Sequence, residues 1–426
     1  MTDRYRWTLA LPVVLCLLLS CGQGSMIVDS TGGGTEITNG ATIAAVVVDS
    51  RGAPVTGAVV RLRREDYLAR FPGIFKTRSD LADVYTDSTG SFAITSVPVG
   101  GHVLAAAFGN DLAKAIRVRV DGSLAYAGTD TIRLETPGII TGSTPATDVL
   151  QSVLIRIAGL EHAIAAQTGS SFTLENVPAG IHTVHVMAGE DGLRVGLVDS
   201  VIINPGQEIE LGEVALGALD SGMIGYWPFD EASGEIAGDM SGNSLDGIVS
   251  GATWVKGRRG SALAFNGVDD SVLIPVTMQP SPAGAISFWI RADSTCLENR
   301  RFRVLGNSSQ FEIVLTGNTT VIGLANELGV VGANSWGQPN LLYASVWHHV
   351  VCNYDVNLTL VQIFVDGRQR LSRSPDLALP APGPMVFGTR AGTGEFFPGA
   401  LDEIRIYDKV LTEKEVRLLW LAGNPQ

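Results

Sequence analysis

A twelve-residue segment recurs with an offset of 80, six of its positions identical, and that duplication constrains the fold more than any other feature of the chain. SFAITSVPVGGH over 91–102 and SFTLENVPAGIH over 171–182 share Ser, Phe, Val, Pro, Gly and His at matching positions. Repetition at a fixed interval means two copies of one structural unit. Upstream, AVVRL (58–62) and SVLIRI (152–157) both alternate apolar and polar residues, the pattern of a strand with one face on a core. Their offset is 95, so the first copy carries about fifteen extra residues between the two strands. Val-Pro-x-Gly forces a turn, because proline lacks a backbone donor and glycine admits positive φ. Short strands between Gly, Pro and Asp signals predict a small all-β sandwich in each copy.

The first copy holds DSRGAPVTGA (49–58), TDSTGSF (86–92) and VPVG (97–100) in order. In these segments it resembles the carboxypeptidase regulatory-like family, which implies a transthyretin-like sandwich over 41–136. A related sandwich over 137–216 follows, although the second copy lacks the Asp-x-x-Gly turn before its Phe172. Members of that family serve as spacers or adhesive modules and carry no catalytic residues. The extra segment after Arg61 contains Arg63, Arg64, Tyr67, Arg70, Phe71, Phe75, Lys76 and Arg78. It reads as a surface excursion whose aromatics cover the sandwich, with an anionic-polymer loop as the sharper alternative. Asp66, Asp80 and Asp83 dilute its charge.

At the other end of the chain, Arg4 and Arg6 precede an apolar run from Leu9 to Leu19, about a dozen residues, a secretory leader rather than a span. Leu18-Leu19-Ser20-Cys21 resembles the bacterial lipobox. The resemblance implies a signal peptide over 1–20 and acylation of Cys21, hence a lipid-bilayer anchor, a cell-envelope location and, with Gly22 following, the outer membrane. Two acyl chains anchor stably where one does not. Residues 21–40 are rich in Gly, Ser and Thr and predict a flexible tether with a reach of about 25 Å. The net charge of −13 argues against nucleic acid as a partner.

Beyond residue 220 the texture changes, and six of the seven tryptophans lie there. ISFWIR (286–291) and VQIFV (361–365) alternate, and Asp366-Gly367 is a hairpin signal. GYWPFDE (225–231), DMSGN (239–243), GSALAFNGVDD (260–270), WHHVV (347–351), FVDG (364–367) and GALDEIRIY (399–407) follow in order. Together they resemble the laminin G-like, concanavalin A-like superfamily and imply a jelly roll over 222–426. The expected fold class is therefore all-β: two small transthyretin-like sandwiches followed by a concanavalin A-like jelly-roll sandwich. Thr412-Glu413-Lys414-Glu415 is a capping box, with Leu411 and Val416 as its staple. Val416, Leu419 and Trp420 then fall on one face of a short closing helix.

Jelly rolls of this superfamily include hydrolases, so the carboxylates matter. A Glu-x-Asp-x-x-Glu run is absent, and Asp402 and Glu403, being adjacent, are expected on opposite faces of a strand. No Gly-x-Ser-x-Gly, His-Glu-x-x-His or Gly-Lys-Ser/Thr motif occurs, so the chain does not read as an enzyme. His348 and His349 read as strand residues rather than metal ligands. Asp239, Asn243 and Asp402 are candidate ligands for a structural Ca²⁺ at a rim, with hydrogen bonds to their own turns as the alternative. Cys296 and Cys352 admit a disulfide or two separate buried thiols. Trp336 and Tyr343, flanking the Gly332–Asn340 loop, are candidate sugar-stacking residues, core burial being the alternative. The expected function is a non-catalytic envelope lipoprotein with two stalk-like sandwiches presenting a lectin-like jelly roll. Its ligand would be polysaccharide, then envelope protein; a structural or adhesive role and a glycan-active enzyme are the rivals.

Overall fold

The computed structural model of the chain describes residues 41–69, 83–98, 100–121, 124–126, 131–147, 151–188, 194–278, 281–297, 301–307, 312–316, 322–326, 329–330, 342, 345–374, 382–389 and 395–423. The duplicated segments build duplicated sheets. In the first unit Ala41–Val48 lies between antiparallel Ser91–Val97 and parallel Thr131–Arg133. In the second, Gly138–Ser143 lies between antiparallel Ser171–Val177 and parallel Glu208–Glu213. Each three-stranded sheet faces a five-stranded one, ordered Asp83–Tyr85, Val59–Arg64, Gly100–Phe108, Leu112–Asp121, Leu124–Tyr126 in the first unit. Its counterpart runs Ala163–Gln167, Ser152–Ile157, Gly180–Ala188, Arg194–Ile203, Gly217–Ala218.

The alternation read from sequence is borne out in the cores. Phe92 and Phe172, Ile94 and Leu174, and Val97 and Val177 are buried equivalents. Ser96 and Asn176, also 80 apart, both adopt positive φ, 59° and 56°, where each strand bends before its Val-Pro turn. Gly180 has φ +155°, and a Cβ there would stand 2.6 Å from the Ala115 carbonyl oxygen. Only glycine lets the two sandwiches touch at that point, where the Ala115 amide donates to Ala179.

From Met223 onward two eight-stranded sheets enclose one large core. The first sheet contains Thr253–Lys256, Ser261–Asn266, Pro398–Tyr407, Ala283–Ala292, His348–Asp355, Leu360–Val365 and Arg368–Arg373, with Met223–Trp227 also on Pro398–Tyr407. The second contains Ile236–Ala237, Gly247–Ser250, Ser271–Met278, Gly383–Phe387, Arg301–Asn307, Glu312–Thr316, Ile322–Asn326 and Gly329–Val330. This C-terminal part is a concanavalin A-like jelly roll. Asp366 and Gly367, at φ 52° and 70°, make the tight turn of the hairpin between Leu360–Val365 and Arg368–Arg373. Cys296 and Cys352 lie in this core as free thiols, so the bridge left open from sequence is not formed. Burial pushes each thiol up to about 12, which keeps both uncharged.

The closing helix, Glu413–Ala422, carries the expected capping box. The Glu415 amide donates to Thr412 Oγ1 at 3.2 Å, and the Thr412 amide donates to the Glu415 carboxylate at 2.8 Å. Thr412→Ala is expected to lower unfolding free energy by about 1 kcal/mol in a urea titration; an unchanged midpoint would count against the cap's role. The helix buries more than one face: Val416, Leu418, Leu419, Trp420 and Leu421 are all inside. It is wedged between the jelly roll and the second sandwich, where Arg417 pairs with Asp199 at 2.7 Å.

The sandwiches are not a stalk. Leu68 of the first unit and Ala158, Met187 and Leu197 of the second share one apolar cluster with Trp289, Phe364, Tyr407 and the closing helix. The segment Arg63–Ala69, expected as a surface excursion, is a three-way junction. Arg63, 5% exposed, pairs with Asp83 of its own unit at 2.8 Å and Glu161 of the second at 2.6 Å. Tyr67 donates to Glu161 at 2.6 Å, and Asp66 reaches Arg258 of the jelly roll, also at 2.6 Å.

Candidate functional site

The carboxylates most able to do chemistry lie on the outer face of the first jelly-roll sheet. Trp289 pairs with Asp402 and Ser287 with Arg405, so Glu403 and Ile404 together oppose Phe288. This is a β-bulge, and Glu403 takes φ +54° to make it. Leu401, Ile404 and Ile406 enter the core, while Asp402, Glu403, Arg405 and Tyr407 all leave it. The opposite-face expectation for Asp402 and Glu403 is therefore wrong, because the bulge shifts the alternation by one residue.

Each carboxylate is committed. Glu403 accepts from Arg405 at 2.6 Å and from the Tyr226 hydroxyl at 3.1 Å, with the Arg405 guanidinium 4.0 Å over the Tyr226 ring. Asp402 Oδ2 accepts from the amides of Arg258 and Arg259 at 2.7 and 3.1 Å. Its Oδ1 has no hydrogen-bond partner. Burial, then the neighbouring Glu403 charge, push the Asp402 carboxyl up to about 8 against those two amides. Above the cluster, Arg258 stacks 4.5 Å over Trp289 and pairs with Asp66. Asp402 is 0% and Glu403 1% exposed, so no substrate reaches either.

His349, opposite Trp289, lies on the same face, and His348 opposes the core residue Ile290. His349 Nε2 shares a 2.9 Å hydrogen bond with Ser287 Oγ, and His348 Nδ1 lies 2.8 Å from Asp366 Oδ2. Burial holds His349 down to about 3, so it is neutral. Burial works to raise the Asp366 carboxyl, but His348 and Arg64 outweigh it and hold the group well below the ordinary range. These are internal partners, in keeping with a strand role for both histidines.

Of the three candidate calcium ligands, Asp239 and Asn243 share one hydrogen-bond partner, the Ser241 hydroxyl, and Asp402 stands apart from both. Asp239 accepts from the amides of Tyr226, Ser241 and Leu245 and from the Ser241 hydroxyl. Asn243 donates to the Ile224 carbonyl and to Ser241. Both thus close their own loop, as Asx residues do. Asp402 belongs to the separate Arg258–Arg259 shell. Among the described residues, no three His, Cys, Asp or Glu side chains gather as a metal site. Trp336, Tyr343 and Cys21 lie outside the described residues. Among the described residues no helix is long and apolar enough to cross a membrane.

One surface escaped the sequence reading. On the outer face of the second jelly-roll sheet, Ile236 pairs with Ile248, and Ile248 with Leu273. All three are exposed, forming an apolar row across three strands. Period-two alternation should have placed polar residues there, so Ile236, Ile248 and Leu273 were the available signal.

A family profile described as the concanavalin A-like lectin/glucanases superfamily matches residues 266–417. No curated protein matches the chain. Among solved structures, the chain is similar to domain 4, in complex with arabinotriose, of AbnA, an extracellular arabinanase from Geobacillus stearothermophilus. Identity there is 20% over 46% of this chain and 97% of that one, with a TM-score of 0.38. It is also similar to the binding domain of Paraclostridial Mosquitocidal Protein 1, at 18% identity, 47% and 52% coverage and TM-score 0.40. The receptor binding domain of botulinum neurotoxin D gives 13%, 48%, 53% and 0.38. The chain spans about half the length of those two toxin domains.

Proposed function

We propose that the protein is a non-catalytic, lipid-anchored envelope protein whose jelly roll binds carbohydrate, held in place by two transthyretin-like sandwiches packed against it. The matched superfamily contains both lectins and glucanases. One observation favours the lectin side: the Asp402–Glu403 pair is sealed beneath Arg258 and Asp66. The anchor part rests on Arg4, Arg6, the Leu9–Leu19 run and Cys21, and the sugar contact on Trp336 and Tyr343. A structural Ca²⁺ is not required by this reading, since Asp239 and Asn243 already stabilise their loop.

A glycan array tests the assignment. The chain is expected to retain one class of glycan, and Trp336→Ala is expected to weaken that binding about 5–12-fold, a stacking contact of about 1–1.5 kcal/mol. Equal signals from wild type and variant would remove Trp336 from the site. The exposed row Ile236–Ile248–Leu273 favours a second reading, contact with another envelope protein. Capture of a defined protein that is lost in Leu273→Asp, with no glycan retained, would favour it.

A further inference from the structure

Three arginines from separate parts of the chain converge on one partly open cavity of about 280 Å³ where all three β units meet. Arg117 comes from Leu112–Asp121 of the first sandwich, Arg368 opens Arg368–Arg373 of the jelly roll, and Arg417 lies in the closing helix. Ile181, His182 and Thr183 of the second sandwich also line it, with Thr183 accepting from Arg117 and Arg417.

The charges there are unbalanced. Arg368 pairs with Glu65 at 2.8 Å and Arg417 with Asp199 at 2.7 Å. Arg117 has only a 3.3 Å hydrogen bond to the Thr183 hydroxyl and no ion pair among the described residues. Partial burial, together with Arg417 and Arg368, pulls its guanidinium below the ordinary value despite Glu65. Arg370, two residues beyond Arg368, is lowered by burial and then by Arg119 and Arg368, and its Nε has no partner. Five guanidiniums thus crowd one seam of a chain whose net charge is −13. Repulsion of this kind persists in a fold when a counter-charge from outside relieves it, and a concave wall focuses that field.

We propose that this junction is an oxyanion site, taking the carboxylate or sulfate group of an acidic polysaccharide. Planar guanidinium forks match such groups with paired hydrogen bonds, which a lysine cluster would not do. The cavity is at the small end of ligand pockets, which begin at about 300 Å³, so it takes a single acidic sugar rather than a length of chain. The oxyanion part stands on the arginines alone; its saccharide carrier rests on the carbohydrate-binding reading above. This site is separate from any contact made by Trp336.

The test uses the whole chain with polygalacturonate, dextran sulfate, neutral dextran and sodium sulfate at matched ionic strength, measured by calorimetry. Both acidic polymers are expected to bind and to be displaced by inorganic sulfate, and neutral dextran is not expected to bind at the seam. Arg117→Gln should weaken acidic-polymer binding about 5–10-fold, with Arg117→Lys between it and wild type. Its melting temperature without ligand should stay within about a degree, because no ion pair is lost. Failure of sulfate and both acidic polymers to bind, or polymers that bind Arg117→Gln and Arg117→Lys as tightly as wild type, overturn the site. Sulfate binding without either polymer overturns the saccharide carrier. Neutral-glycan capture that is lost in Trp336→Ala but kept in Arg117→Gln concerns the rim loop alone, so the two readings fail separately.

Discussion

Replacing Asp66 with alanine should uncouple the first sandwich from the jelly roll and lower unfolding free energy by about 3–5 kcal/mol. Asp66 is 1% exposed and accepts from Arg64 at 3.2 Å and Arg258 at 2.6 Å. Burial alone would raise its carboxyl, but the Arg258 and Arg64 guanidiniums outweigh burial and hold it below the usual carboxylate range. The pair therefore favours the ionised form, and its stabilisation is lost as pH falls through that depressed value. Truncation leaves the Arg258 guanidinium buried against Trp289 without this carboxylate. The cost comes from leaving Arg258 buried without this carboxylate more than from the lost attraction. Scanning calorimetry is expected to replace one transition with two, and limited proteolysis to cut within 63–69. A single transition at the wild-type temperature would show that Asp66 does not join the units.

Asp402→Asn has the opposite sign. A carboxyl at about 8 in the fold and about 3.9 in the unfolded chain binds its proton more tightly when folded. Its stabilising contribution is complete below about pH 4 and is lost as pH rises to about 8. Across that window the wild type should lose about 1.4 kcal/mol per pH unit relative to the asparagine variant. Asparagine keeps a carbonyl oxygen for the Arg258 and Arg259 amides and carries no charge beside Glu403. Paired urea titrations at pH 5 and pH 8.5 should show a variant a few kcal/mol ahead at the higher pH, the margin shrinking at the lower. A variant equally destabilised at both would mean that Asp402 is ionised in the fold.

Local signals carried much of the architecture. The duplicated Ser-Phe and Val-Pro-x-Gly segments placed equivalent strands 80 residues apart, down to the shared positive φ of Ser96 and Asn176. Asp366-Gly367 and Thr412–Glu415 also appear as turn and cap, because each depends on residues within a few positions. What escaped was long-range or locally inconsistent. Asp66 and Arg258 are 192 residues apart, and nothing near either indicates the other. Glu403 occupies a backbone conformation in which glycine is expected, so strand alternation misassigned Asp402 and Glu403. The docking of both sandwiches was invisible for a related reason. Leu68, Met187 and Leu197 look like ordinary core residues of their own units, yet they cover Trp289 and Phe364 of the jelly roll.

The proposed function is recognition without turnover by a jelly roll whose carboxylate face is closed off. The most direct measurement mixes the chain with the glycan it retains and follows bound polymer and newly formed reducing ends in the same sample. Retention with no reducing ends above the protein-free control is the predicted result. Reducing ends that accumulate with time, and vanish in Glu403→Gln, would contradict it.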